Sequence, residues 1–246
     1  MDQFRLDNKV AIITGGAGTI GSATARQMTA RGARVLLADL NTNEAESVAA
    51  QLGGSAFAYE ADLSQTAHCK NVVAACVEKF GRLDVLINNV GICPRRSIAD
   101  STEEDWERIV GINQKSMFFC SQASIPELRR TKGSIISVAS YAGRAGAAVD
   151  ACIYSGTKGA IISMTKAMAR ELAPDILVNA VAPGPVESEL VRGVSPERLK
   201  AISDSIPLQR LARAEEIAAS ICFLASPAAS YLTGVTLDVN GGWYMT

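Results

Sequence analysis

The chain has 246 residues, 48% of them hydrophobic, with 24 basic and 25 acidic side chains, a formal net charge of −1 and one histidine. That balance leaves no basic stripe for nucleic acid or an anionic membrane surface, and no apolar run reaches the roughly 18 residues of a membrane span. The opening Met1-Asp-Gln-Phe-Arg-Leu-Asp7 lacks the basic and apolar regions of a signal peptide, so the expected compartment is the cytoplasm.

Residues 10–14, Val-Ala-Ile-Ile-Thr, form the short β-branched run of a buried parallel strand. Gly15-Gly-Ala-Gly-Thr-Ile-Gly21 follows, and from Ser22 onward the chain reads as a helix. In that order, glycines let the backbone approach a pyrophosphate, and the helix N-terminus offers it free N–H groups and positive potential. Gly15, Gly18, Thr19, Ile20 and Gly21 are the expected contacts. The next strand, Arg34–Asp39, ends in an acid that can accept from ribose hydroxyls. No Lys or Arg follows in Leu40-Asn-Thr-Asn43, so a 2′-phosphate would find no counter-charge. The expected cofactor is therefore NAD, with Asp39 and Leu40 at its adenosine end.

His68 lies in a polar stretch before a helix and reads as a solvated surface residue; a Ser-His-Asp triad could form only through it. Cysteines at 69, 76, 93, 120, 152 and 222 show no C-x-x-C spacing and read as small buried apolar residues. Metal ligands do not cluster, so no metal is expected. Tyr154 and Lys158 stand four apart, on one face of a helix. An ammonium beside a phenol favours the phenolate, which predicts a Tyr154 pKa below the usual value of about 10. Such a phenol can exchange a proton with an alcohol or carbonyl oxygen. Ile161, Thr165, Met168 and Leu172 continue that helix with a face able to bury itself. Residues 190–213, holding Gly193, Pro196 and Pro207, are the expected mobile substrate segment. Strands and helices alternate without a linker or repeat. The expected fold is one α/β domain over residues 1–246, a doubly wound, Rossmann-like parallel sheet with helices on both faces.

With these residues in order, the chain resembles the short-chain dehydrogenase/reductase family nearly end to end. The family signature T-G-x-x-x-G-x-G reads Thr14-Gly-Gly-Ala-Gly-Thr-Ile-Gly21, with Thr19 in place of the middle glycine. The Thr19 hydroxyl is expected to contact the pyrophosphate. Asp62-Leu63 resembles the family's Asp-Leu or Asp-Val pair, whose acid meets adenine. Asn88-Asn-Val-Gly91 resembles N-N-A-G, implying Asn89 and Gly91 beside the cofactor. Asn113, Ser140, Tyr154 and Lys158 match the family's catalytic tetrad. Asn179-Ala-Val-Ala-Pro-Gly184 resembles the strand and turn at the nicotinamide, implying Pro183, Gly184 and Val186 there. Ser188 stands where the family has a Thr on the carboxamide, and Leu232–Gly242 resembles the last strand.

The resemblance implies hydride transfer between NAD(H) and a secondary alcohol or ketone. Tyr154 would exchange the proton, and Lys158 would lower its pKa and hold the nicotinamide ribose. Ser140 would bind the substrate oxygen. Asn113, on a long helix from about Thr102 to Arg130, would hold a water leading to Lys158. A homotetramer or homodimer is implied as well. Two rivals share the fold: a catalytically silent NAD-binding scaffold, and a lyase. Such proteins usually lose the Tyr, the Lys or the glycine motif, which this chain keeps apart from Thr19. Pocket positions include Ile92, Cys93, Arg95, Arg96, Tyr141, Asp150, Cys152, Ile153, Pro185 and Val186. Arg95 and Arg96 fit either an anionic substrate or a solvated loop.

Overall fold

Each short apolar run becomes a strand, in a computed structural model that describes residues 2–146, 150–188 and 195–245. The strands are β1 (Val10–Thr14), β2 (Arg34–Asp39), β3 (Ala56–Glu60), β4 (Val85–Asn88), β5 (Ser134–Val138), β6 (Leu177–Pro183) and β7 (Thr236–Val239). They pair in parallel in the order β3-β2-β1-β4-β5-β6-β7. Parallel neighbours need crossovers, and helices α1 (Thr19–Ala30), α2 (Thr42–Gln51), α3 (Thr66–Phe80), α4 (Glu103–Val110), α5 (Ser116–Thr131), α6 (Ala142–Ala145), α7 (Cys152–Leu172), α8 (Pro196–Ser205) and α9 (Ala214–Ala225) lie between them.

The central strands β1, β4 and β5 are buried throughout because both faces are covered. Ala11 and Ile13 of β1 enter one core with Met28 of α1, Val48 of α2 and Ile221 of α9. Val10 and Ile12 enter the other with Val72 of α3, Leu128 of α5 and Leu172 of α7. Ile161 and Thr165 of α7 are buried as their spacing predicts. Strand order reverses at β1, whose neighbours are β2 and β4. In such sheets ligands bind beyond the carboxyl ends of the strands at that switch point.

One expectation about elements needs correction. The helix expected over Thr102–Arg130 is broken between α4 and α5 by one wider π turn, Gly111–Lys115, closed by Ser116 N–H donating to Gly111 O. Part of the segment expected to be mobile, residues 190–194, lies outside the described residues. In the described remainder, Ser195 Oγ caps α8 by accepting from Arg198 N (3.3 Å), and Pro196 opens the helix. Ala212 N donates to Pro185 O and Glu187 N to Ala212 O, each at 2.9 Å, so both ends of the excursion are tied together. Among the described residues, no helix is long and apolar enough to cross a membrane, and no His, Cys, Asp and Glu cluster could hold a metal ion.

Candidate active site

The turn after β1 is drawn tight by sterics and by a neighbouring strand. Gly15 has φ +63°, where a Cβ is strained, and a Cβ on Gly21 would lie 2.1 Å from Gly15 O. Thr14 Oγ1 accepts from Asn89 N (2.9 Å) and Val90 N (3.1 Å). Asn89, expected beside the cofactor, gives its amide protons to Thr14 O and Gly15 O, both at 2.9 Å. Its side chain therefore braces the turn. Gly18 is the N-cap of α1; it has no side chain to cap the helix, and no acid occupies the first turn. Thr19 and Ile20, the first helical residues, are half-buried. This uncapped, uncharged end fits a pyrophosphate.

Asp39 closes the turn from the other side. Its Oδ2 accepts from Ala17 N (2.9 Å) and its Oδ1 from Asn41 N (3.0 Å). Each carboxylate oxygen keeps accepting capacity for a ribose hydroxyl, and Leu40 beside it is exposed. Ala61 N donates to Asp39 O (2.9 Å), placing Asp62 next along the same edge, with Leu63 buried. Asp62 Oδ1 accepts from Ser64 Oγ (2.7 Å) and Ser64 N (3.0 Å), which hold the carboxyl below the usual carboxylate range against its partial burial. His68 is not a free surface residue: it is half-buried, and its Nδ1 accepts from Asp62 N at 3.0 Å.

Beyond β5 the four expected catalytic residues come together. Ser140 is buried, accepts from Ala142 N (3.1 Å) and is hydrogen-bonded to Tyr154. Tyr154 lies in the first turn of α7, and Lys158 one turn further on. Lys158 Nζ donates to Val138 O at 2.7 Å and stands 5.8 Å from the Tyr154 ring centre. A Cβ on Gly91 would sit 3.3 Å from Lys158 Nζ and 3.4 Å from Asn113 Oδ1, so glycine leaves room where these meet. Asn113 sits in the π turn. Its Oδ1 accepts from Ile92 N (2.8 Å), and its Nδ2 donates to Ile92 O (2.9 Å) and Thr157 Oγ1 (3.2 Å). Thr157 Oγ1 in turn donates to Tyr154 O (2.7 Å), a link between Asn113 and α7 that no motif announced.

The electrostatics differ from the sequence expectation. Burial pushes Tyr154 up to about 12; the Ser140 hydrogen bond and Arg95 pull the other way, while Cys93 and Tyr141 add to the rise. Lys158 does not depress it here, because burial pushes Lys158 itself down to about 8 and its proton points to Val138 O. Losing hydration penalises both charged forms, which moves a phenol up and an ammonium down.

The side expected to receive the nicotinamide is formed by β6 and the chain beyond it. Tyr141 N donates to Pro183 O (2.9 Å) and Gly184 N to Val239 O (3.0 Å). Val186 is buried and Ser188 half-buried. Tyr141 stacks on Trp243, ring centres 4.3 Å apart, a wall invisible in sequence because its halves lie far apart in the chain. Arg96, Asp150, Cys152 and Ile153 line a cleft ending at Tyr154. Arg96 is ion-paired with Asp105 at 3.0 Å, which occupies it locally. Cys93 is half-buried and its thiol pushed up by that burial; Cys152 is exposed, and the other four cysteines are buried as expected.

A family model described as enoyl-(acyl carrier protein) reductase matches residues 15–244. The chain is 38% identical to a meso-2,3-butanediol dehydrogenase of Serratia marcescens, over 97% of this chain and 96% of that one. It is 35% identical to the 3-oxoacyl-(acyl-carrier-protein) reductase FabG of Escherichia coli, over 98% of this chain and 100% of that one. Among solved structures, a short-chain dehydrogenase/reductase described as glucose/ribitol dehydrogenase, from Brucella melitensis, superposes with TM-score 0.95 at 38% identity, covering 99% of this chain and 100% of that one. A 3-ketoacyl-(acyl-carrier-protein) reductase from Brucella melitensis, complexed with NADH, does so with TM-score 0.91 at 35% identity over 98% of this chain and 100% of that one. Full-length identity at this level, on the same sheet order, makes the chain a member of the short-chain dehydrogenase/reductase family, oxidoreductases of alcohol and ketone groups.

Proposed function

We propose that this chain transfers hydride between NAD(H) and a small secondary alcohol or its ketone, with Tyr154 as acid/base. The observation that carries this reading is Tyr154 hydrogen-bonded to a buried Ser140, with Lys158 one helical turn away. The bound nicotinamide supplies the hydride acceptor or donor. Ser140 orients the substrate oxygen and stabilises charge as it develops there. Tyr154 takes the hydroxyl proton in oxidation and returns it in reduction. Lys158, one helical turn behind the phenol, holds the nicotinamide ribose, and Asn113 keeps Ile92 and α7 in register around it. Pro183, Gly184, Val186 and Ser188 receive the carboxamide end, and Gly15, Gly18, Thr19, Ile20 and Gly21 the pyrophosphate.

The choice of NAD(H) over NADP(H) rests on Asp39. Its carboxylate would meet a 2′-phosphate with like charge, and the adjoining Leu40 is exposed and uncharged. The test is initial-rate measurement with both cofactors against vicinal diols, hydroxyketones and 3-oxoacyl thioesters. A clear NAD(H) preference, narrowed or reversed by Asp39→Ala with Leu40→Arg, is expected; equal efficiency with both cofactors in the unmodified chain refutes the Asp39 reading. Assembly as a homodimer or homotetramer is supported by the exposed Trp106 and Phe118 on α4 and α5. A cytoplasmic location is part of the same reading.

A further inference from the structure

We infer that His68, the chain's single histidine, is a positioning residue for recognition of the adenine ring, acting through Asp62. The inference rests on the NAD(H) reading above. The carboxylate of Asp62 accepts hydrogen bonds only, so its partner on adenine is the exocyclic amine. One carboxylate oxygen, Oδ1, is engaged twice, by Ser64 Oγ at 2.7 Å and Ser64 N at 3.0 Å. Those bonds set the rotation of the carboxylate, with the Gln65 side chain a further and weaker partner, and its four acceptor sites leave capacity for the amine. They do not fix where the Asp62 backbone stands. That is done by its own N–H, which donates to His68 Nδ1 at 3.0 Å.

The anchor is rigid because of what carries it. His68 is in the first turn of α3, whose next residue, Cys69, and Val72 are buried against the sheet. His68 N donates to Gln65 O (3.0 Å) and Gln65 N to Asp62 O (3.1 Å), so the corner from Asp62 to His68 closes on itself. On its other side Ala61 N donates to Asp39 O at 2.9 Å. The two acids assigned to the adenosine end are therefore joined through the backbone, and His68 ties that pair to a helix packed in the core. Only a ring nitrogen without a proton can accept from Asp62 N, so in this arrangement Nδ1 of His68 carries none. An aliphatic residue at 68 would leave Asp62 N–H without its partner. Asparagine could restore it, since its side-chain oxygen lies near the position of Nδ1.

The test compares NADH with its analogue in which hypoxanthine replaces adenine, which lacks the exocyclic amine. Dissociation constants are measured by fluorescence titration for the unmodified chain and for Asp62→Ala, His68→Leu and His68→Asn. The unmodified chain should bind NADH roughly tenfold more tightly than the analogue, the fold-change of one hydrogen bond to a charged group. Asp62→Ala and His68→Leu should each reduce that ratio to about two or less, and His68→Asn should restore most of it. An equal affinity for both ligands in the unmodified chain overturns the role of Asp62, and this inference with it. A ratio lost in Asp62→Ala yet kept in His68→Leu overturns the inference alone and leaves the NAD(H) reading standing. Should His68→Leu fail to fold, the lone imidazole still decides the matter through nitrogen-15 NMR of the unmodified chain at mildly alkaline pH. An unprotonated Nδ1 whose resonance shifts on adding NADH supports the inference; a protonated Nδ1, or no response to NADH, overturns it.

Discussion

Lys158 is buried and Tyr154 half-buried, at a cost that is measurable apart from catalysis. Lys158 falls from an ordinary value of 10.5 to about 8 on folding, so between those values the unfolded chain binds more protons than the folded one. Stability must then rise with pH across that window, and below it the buried ammonium imposes its full penalty. Tyr154 runs the opposite way: raised from 10.0 to about 12, it contributes stability that is present below the lower value and lost toward the upper. Lys158→Met should therefore raise the melting temperature near neutral pH by several degrees, at about 2–4 °C per kcal/mol in a chain of this size. It should also flatten the rise in stability from pH 8 to 10.5, read by denaturant unfolding across that range. A melting temperature unchanged or lowered near neutral pH would show that the Val138 O contact outweighs burial. Tyr154→Phe should cut turnover by about 10²–10⁴-fold, the range expected for a lost acid/base, with NADH binding kept. At this scale the legible residues were those whose partners are close in sequence, as Tyr154 and Lys158 are. Thr157, His68 and Trp243 were missed because their roles depend on Asn113, the Asp62 backbone and Tyr141, whose approach is set by the fold.

Helix contacts position Ser140 against Tyr154. A Cβ on Gly143 of α6 would come within 2.5 Å of the Lys158 carbonyl carbon and 2.6 Å of Gly159 N. Backbone meets backbone there, and no flexible side chain can yield. Arg144 adds a second restraint, donating from Nε to Asp238 Oδ1 (3.2 Å) and from Nη2 to Thr236 O (3.1 Å) of β7. Gly143→Ala should thus displace α6 from α7, costing about 1–3 kcal/mol as overpacked sites do. It should also lower turnover at least tenfold by moving Ser140. Gly54→Ala, where an added Cβ meets nothing within 4 Å, should change neither. Equal effects of the two substitutions on melting and on turnover would show that the α6–α7 contact is not what holds Ser140. Strands and most helices were readable because burial on one or both faces writes a period into the sequence. The π turn at Gly111–Lys115 was not, since a single wider turn leaves the apolar period on either side almost unchanged. Yet that turn is what presents Asn113 to Ile92 and Thr157.

Across the whole molecule, the predicted groups lie at the carboxyl ends of successive parallel strands. Gly15 follows β1, Asp39 ends β2, Asp62 follows β3, Asn89 follows β4, Ser140 follows β5 and Gly184 follows β6. This was legible in outline, because alternating strands and helices with a glycine turn after the first strand admit few parallel topologies. The closure of the excursion after β6 by Ala212 was not legible, as it pairs residues on either side of a long insertion with no pattern in common. A ligand spread along one edge should protect that edge alone. Adding NADH should slow amide exchange at residues 15–21, 39–41, 61–64, 89–92, 139–143 and 184–188, which line the carboxyl ends. Segments 31–33, 81–84 and 132–133, at the opposite ends of the strands, should exchange as before. Binding only the folded chain, NADH should also raise its stability by about 2.7 kcal/mol at a hundred times the dissociation constant. NADP(H) at the same concentration should do distinctly less if Asp39 faces the ribose. Protection confined to the opposite edge, or equal stabilisation by the two cofactors, would place the ligand elsewhere or leave Asp39 without its role. The two outcomes are separable, because the exchange map reports where the dinucleotide lies and the melting shift reports which one is preferred.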